Sequence, residues 1–83
     1  MKTTPRNDNN IPVLIKRGQE IISKRTDRRI QCYSVMSVCS GNSNTIIRFD
    51  YSFWDAITKK SKTIKQDELM KMLNKDWSII TKN

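Results

Sequence analysis

Between positions 47 and 53 the sequence alternates strictly between apolar and polar residues. Isoleucine, phenylalanine or tyrosine stands at every odd position, and a charged or hydroxyl residue stands at every even one. Successive side chains of a strand point to opposite faces, so the alternation predicts a strand with one face in a core and one face in water. We therefore expect Phe49, Tyr51 and Phe53 to lie in the core, rather than to form an exposed platform for the bases of a nucleic acid.

A second strand and a turn precede this one. Residues 30–39 are rich in β-branched and aromatic side chains, which favour strands. Residues 40–44 read Ser-Gly-Asn-Ser-Asn and are the strongest turn signal in the chain. Together these segments predict an antiparallel β-hairpin over residues 30–54.

An amphipathic helix is predicted before the hairpin. Apolar residues, with one glycine among them, recur every three or four positions from Ile11 to Ile22. On a helical wheel they cover an arc of about 120°, the width of a core-facing stripe. This spacing predicts a helix from residue 11 to about residue 26. The alternative is a hairpin turn around Gly18, in residues 16–19.

A second amphipathic helix is predicted after the hairpin. Residues 63–66 read Thr-Ile-Lys-Gln, which fits a capping box, and Asp67 and Glu68 would stabilise the positive end of the helix dipole. Apolar residues on one face extend this helix to about residue 80, and the alternative is a short closing strand over residues 77–81. The predicted fold class is α+β. An antiparallel hairpin or small sheet is covered on one face by two amphipathic helices, in the order α-β-β-α with a short extra strand as the alternative.

The chain is long enough for a single domain. Eighty-three residues, of which 36% are hydrophobic, can form one modest core. The first ten residues are polar, contain Pro5 and lack periodicity, so we expect a flexible N-terminal tail over residues 1–10 and one compact domain over residues 11–83. No apolar stretch approaches the roughly 20 residues that span a bilayer, so we predict no membrane partner.

Positive charge is concentrated on both sides of the predicted hairpin. The formal net charge is +8; residues 1–29 carry +5, residues 58–83 carry +4, and residues 30–57 carry −1. Lys and Arg side chains that contact phosphates hold a protein on nucleic acid without reading its sequence. The candidate nucleic-acid or anion-binding residues are Lys16, Arg17, Lys24, Arg25, Arg28 and Arg29 in the first flank and Lys59, Lys60, Lys62 and Lys65 in the second.

The composition excludes several kinds of site. The chain contains no histidine, which excludes catalytic pairs and metal sites that depend on imidazole. Cys32 and Cys39 would lie about 23 Å apart in one regular strand, too far for a disulfide, and this predicts two free thiols in a reducing cytoplasm. We therefore predict a cytoplasmic protein with no metal site, no catalytic residues and no small-molecule cofactor.

The predicted function is non-enzymatic binding of nucleic acid through a cationic surface. The alternative is a small inhibitor or adaptor that binds an acidic surface or the nucleic-acid channel of a larger protein, with Trp54, Tyr33 and Met72 as candidate anchors. The abundance of Lys, Ile and Asn, whose codons are AT-rich, would suit an origin in a phage or mobile element. A third hypothesis, a metal-free ribonuclease that uses Arg, Lys and Tyr, has no support in the residue spacing. The oligomeric state is left open.

Overall fold

The computed structural model describes residues 5–41 and 44–80. Within these residues the chain forms one antiparallel sheet of five strands and one short helix. The strands lie in the order β4-β3-β2-β1-β5. The elements are β1 (Glu20–Ser23), β2 (Arg29–Cys39), β3 (Ile46–Asp55), β4 (Lys60–Lys65), α1 (Gln66–Leu73) and β5 (Trp77–Ile80).

The sheet is a meander to which the last strand adds a further edge. β1 to β4 are neighbours in chain order, and α1 then carries the chain from β4 at one edge to β5 at the other, where β5 pairs with β1. Because every pairing is antiparallel, the turns at residues 24–28, 56–59 and 74–76 lie at the same end of the sheet, which we call the turn end. The backbone amide of Lys24 donates to the carbonyl of Asp76 at 2.6 Å and joins two of these turns.

One face of the sheet, the inner face, carries the core. Residues directly opposite one another on paired strands share a face, which places Phe53 beside Cys32 and Tyr51 beside Ile64. Leu69 of α1 packs against this face and is fully buried. The buried apolar side chains that form one cluster are Ile15, Ile21, Cys32, Tyr51, Phe53, Ile64 and Leu69.

The predicted hairpin is confirmed as β2 and β3. The three aromatic residues at positions 49, 51 and 53 lie on the inner face, as expected. On the opposite face Ser52 is buried as well, so that face is not wholly in water. The alternation itself breaks at its start, where Ile46 is buried and Ile47 is exposed. The cause is a shift of register between Val38 and Cys39, which moves the first residues of β3 relative to their partners.

The helix predicted over residues 11–26 is wrong. The chain is irregular through Ile15, turns at residues 16–19 and continues as β1. Gly18 takes a φ of +95°, a left-handed conformation that interrupts a right-handed helix and that glycine adopts without strain. The alternative interpretation, a turn around Gly18, is the correct one.

The strand that replaces this helix is short and depends on its neighbours. Ile21 of β1 lies between Ile30 of β2 and Ile79 of β5, and its side chain is fully buried. Ile22 pairs with Arg29 and lies on the opposite face of the sheet. Two strands far apart in the chain therefore bury the isoleucine that the helical spacing had assigned to an apolar stripe.

The second predicted helix is shorter than expected. Residues 63–65 belong to β4, where the hydroxyl of Thr63 lies 3.1 Å from the hydroxyl of Ser52 on β3. The predicted capping box is wrong, because the N-cap residue is Lys65 and no side chain caps the helix. The alternative closing strand is confirmed as β5, except that Thr81 lies outside the described residues.

The predicted fold class is therefore wrong in its layers. The described chain is mostly an antiparallel sheet with one short helix, not a sheet covered by two amphipathic helices. The inner face is covered by α1 and by the irregular residues 11–15, of which Ile15 is buried. Of the predicted tail, residues 1–4 lie outside the described range, and Arg6 forms an isolated parallel bridge with Thr45.

A network of hydrogen bonds attaches the irregular segment to the sheet and helix. The amide of Leu14 donates to the hydroxyl of Tyr51 at 3.0 Å, and that hydroxyl donates to Oε1 of Gln66 at 2.6 Å. The side-chain amide of Gln66 donates to the carbonyl of Pro12 at 2.7 Å. Burial raises the pKa of Tyr51 above its usual value, which keeps the phenol protonated as the donor to Gln66.

Removing the hydroxyl of Tyr51 should destabilise the fold. In Tyr51→Phe, the amide of Leu14 and the side chain of Gln66 lose a buried partner, so we expect the free energy of unfolding to fall by about 1–3 kcal/mol. Urea denaturation measures this change. The matched control is Tyr33→Phe, at an exposed tyrosine, where we expect a change within about 0.5 kcal/mol. Equal stability of the two variants would contradict a structural role for the network.

Candidate nucleic-acid interface

Basic residues of all three turns lie at the turn end of the sheet. Each of them is exposed to solvent. We call them the turn-end cations: Lys24, Arg25, Arg28 and Arg29 at the first turn, Lys59, Lys60 and Lys62 at the second, and Lys75 at the third. The sequence interpretation missed Lys75, because it placed this residue on the long second helix rather than in a turn.

Three of the predicted binding residues lie away from the turn end. Lys16 and Arg17 occupy the turn that precedes β1, whereas Lys24 follows the other end of that strand. Lys65 is the last residue of β4 and lies opposite Asp50 of β3. The remaining predicted cations share the turn end of the sheet although they come from both basic flanks of the sequence, with Arg29 on one face and Lys60 and Lys62 on the other.

The turn-end cations have few carboxylate partners. Within residues 5–41 and 44–80, the one ion pair that they form at 4.0 Å or less joins Arg28 to Asp55. In the same described ranges, Asp27 and Asp76 lie in these turns without pairing to a turn-end cation at that distance. Positive charge therefore exceeds negative charge at this end, which favours anionic partners.

The ion pair of Arg28 and Asp55 fastens two of the turns to each other. Nε and Nη2 of Arg28 both contact Oδ2 of Asp55. The other carboxylate oxygen, Oδ1, accepts hydrogen bonds from the amides of Ile57 at 2.9 Å and Thr58 at 3.3 Å. The Asp55 side chain is only 6% exposed, while that of Arg28 is 49% exposed. The guanidinium of Arg28 is thus held by Asp55, while about half of the side chain stays exposed to solvent.

These contacts keep Asp55 ionised despite its burial. Burial alone would raise the pKa of the carboxyl, but the hydrogen bonds from Arg28, Ile57 and Thr58 and the charge of Arg28 outweigh it and lower the pKa below its ordinary value of 3.8. The turn at residues 24–28 and the end of β3 therefore remain joined by this pair across the neutral pH range.

A cleft of about 430 Å³ opens on the inner face beside the turn end. Trp77 and Met72 line it together with side chains of the sheet core, and polar side chains form its rim. Among the described residues, those that line it are Arg28, Ile30, Phe53, Asp55, Thr58, Lys60, Ser61, Lys62, Ile64, Met72 and Trp77. This volume lies within the range of about 300–1,000 Å³ that is common for ligand pockets.

The register of β4 explains why two lysines line this cleft. Lys60 lies opposite Asp55, and Lys62 lies opposite Phe53, so both are on the inner face of the sheet. Arg28 approaches from the turn between β1 and β2. Cations of both basic flanks therefore border one apolar cleft.

The three predicted anchor residues do not form one surface. Met72 is half-buried and lines the cleft. Trp54 is 42% exposed and lies on the opposite face of β3, across from Gln31. Tyr33 is exposed where the pairing of β2 with β3 shifts register. Trp77, which the sequence interpretation placed on a helix, is the tryptophan that borders the cleft.

Comparisons with protein-family models, curated proteins and solved structures find no match to this chain. Its function has to be argued from the geometry of the site. No group of three or more Cys, Asp or Glu side chains within the described range is arranged to hold a metal ion. None of its helices in that range is long and apolar enough to cross a membrane.

Acid should weaken the fold through Asp55. Because the folded-state pKa of Asp55 is depressed, its contribution to stability is present above the unfolded-state pKa and is lost as the pH falls through the folded-state pKa. At neutral pH we expect Asp55→Asn to melt at a lower temperature than the wild type, since Arg28 loses its counter-charge.

Thermal unfolding followed by circular dichroism between acidic and neutral pH measures this dependence. The melting temperatures of Asp55→Asn and the wild type should converge as Asp55 becomes protonated, at pH values below about 3.8. Asp8→Asn, at an exposed ion pair with Arg6, is the control and should follow the wild type throughout. A difference in melting temperature between Asp55→Asn and the wild type that stays the same at every pH would contradict a stabilising role for ionised Asp55.

Proposed function

We propose that this protein binds nucleic acid through the turn-end cations and is not an enzyme. The observation that carries the proposal is that three turns place cations of both basic flanks at one end of the sheet. Among the described residues, Arg28 is the one turn-end cation with a carboxylate within 4.0 Å. Several cations on one surface can neutralise neighbouring phosphates and release the counterions that nucleic acid condenses.

Contacts between the turns support this proposal. Lys24 is tied to Asp76, and Arg28 is tied to Asp55, so all three turns are joined by direct contacts. A surface that is held in place before binding loses less conformational entropy when it binds. The proposal includes the cytoplasmic location predicted from the sequence, where nucleic acid is present and the Cys32 and Cys39 thiols stay reduced.

Removing cations from the turn end should weaken binding, whereas removing the same number elsewhere should not. The test variant carries Lys24→Gln, Arg25→Gln and Lys59→Gln. The control variant carries Lys16→Gln, Arg17→Gln and Lys65→Gln, which lie away from the turn end and change the net charge equally. Anisotropy of a labelled single-stranded oligonucleotide, between about 50 and 200 mM salt, reports the affinity.

We expect the wild type to bind with a steep negative salt dependence. In the test variant, the slope of log K against log salt should decrease in magnitude by about 0.7 for each phosphate that the protein no longer neutralises, and the control variant should keep the wild-type slope. Equal reductions in both variants would show that net charge alone drives binding. No binding of the wild type at low salt would reject the proposal.

The outer face of the sheet favours a second candidate function, docking on a larger protein as an inhibitor or adaptor. Met36 is 56% exposed and Trp54 is 42% exposed, and both lie on this face. If nucleic acid does not bind, a nuclease-treated lysate should yield one stoichiometric partner that wild type retains and Trp54→Ala loses. Retention of the same protein by Trp54→Ala would count against docking through this face.

A further inference from the structure

The cleft beside the turn end combines features that cation clusters on a protein surface usually lack. Its apolar lining includes Trp77, whose side chain packs against the core from the edge strand β5. Its rim carries Lys60 and Lys62, both exposed, and neither has a carboxylate within 4.0 Å among the described residues. Counterion release would explain the lysines, but it would not explain the apolar cleft beside them.

The lining of the cleft indicates the chemistry of its ligand. The ligand needs an apolar, flat portion that can lie against Trp77 and a negative charge that can reach Lys60 or Lys62. The hydroxyl group of Thr58, which also lines the cleft, can donate or accept a hydrogen bond at the polar edge of such a group. A nucleobase with its attached phosphate has all of these properties.

Arg28 can add a contact without leaving Asp55. Its Nε and Nη2 contact the carboxylate, and a guanidinium carries five N–H donors in all. The side chain is half exposed and lines the cleft across from β4. Phosphates on either side of an inserted base would then meet cations on both rims.

From these observations we propose that the cleft takes one unpaired base of single-stranded nucleic acid, with the adjoining phosphates on Lys60, Lys62 and Arg28. This inference rests on the proposed function and deepens it, because it assigns a preference for single strands. In a duplex each base is paired and stacked between its neighbours, so it cannot enter a cleft of this kind without being flipped out.

Fluorescence of Trp77 tests this inference directly. In a Trp54→Phe protein, Trp77 is the only tryptophan, so its emission reports the cleft alone. We expect a single-stranded oligonucleotide to quench this emission on binding, and a blunt duplex of the same length to bind more weakly with little quenching. A free nucleoside monophosphate is the third probe, and it should bind far more weakly than the strand because it makes fewer phosphate contacts.

Substitution of Trp77 separates base stacking from phosphate contacts. Trp77→Leu should lower affinity for the single strand by about 5- to 150-fold, the range for loss of one stacked base, and leave duplex affinity and the salt slope unchanged. Trp77→Phe keeps an aromatic ring and should retain most of the single-strand affinity. If Trp77→Leu does not fold by circular dichroism, Lys62→Gln in the folded protein should still reduce binding to single strands more than to duplex.

Each outcome supports or overturns the inference. Unchanged single-strand affinity in Trp77→Leu, or equal quenching by strand and duplex, would overturn base insertion while nucleic-acid binding itself stands. If the free nucleoside monophosphate binds as tightly as the strand, the ligand of the cleft is a free nucleotide, and the assignment to a base of a strand is overturned. If no probe binds the wild type at low salt, the proposed function fails. This result differs from failure of base insertion alone, in which the wild type binds the single strand and Trp77→Leu binds it equally well.

Discussion

A helix of eight residues has to cover the inner face of a five-stranded sheet, and its length does not suffice. α1 is about 12 Å long at about 1.5 Å per residue, whereas the ten residues of β3 extend over about 33 Å. Leu69 packs into the core on this face, and the irregular residues 11–15 cover more of it through Ile15. The part next to the turn end stays uncovered and forms the cleft.

The charge distribution follows from the same topology. An antiparallel meander with a returning edge strand places alternate turns at one end of the sheet, so basic segments that are distant in sequence become neighbours. Asp55 then links two of these turns through Arg28 and the amides of Ile57 and Thr58. The uncovered part of the core and the cations lie side by side because both belong to this end of the sheet.

Local patterns predicted the central hairpin well. The alternation in β3 and the turn signal after β2 each arise within a few residues, and the aromatic side chains at positions 49, 51 and 53 face inward as expected. β1 was misassigned because a spacing of three and four residues, counted over the apolar residues and Gly18, also fits two separate elements on either side of a turn. Gly18 makes that turn, and its φ of +95° follows from no periodicity. Thr63 was misassigned for a similar reason, since its hydroxyl pairs with Ser52 on a neighbouring strand instead of capping a helix.

The amino-acid sequence alone determines two properties: a half-buried strand at residues 47–53 and positive charge in both flanks. Both can be predicted because each depends only on residues that are close together in the chain. Which cations meet was decided only by tertiary structure. Lys60 and Lys62 join Arg28 at one cleft, whereas Lys16, Arg17 and Lys65 stay outside it, since strand pairing sets the positions of residues far apart in the chain. The same long-range pairing places Trp77 in β5, where it lines that cleft, and not on the predicted helix.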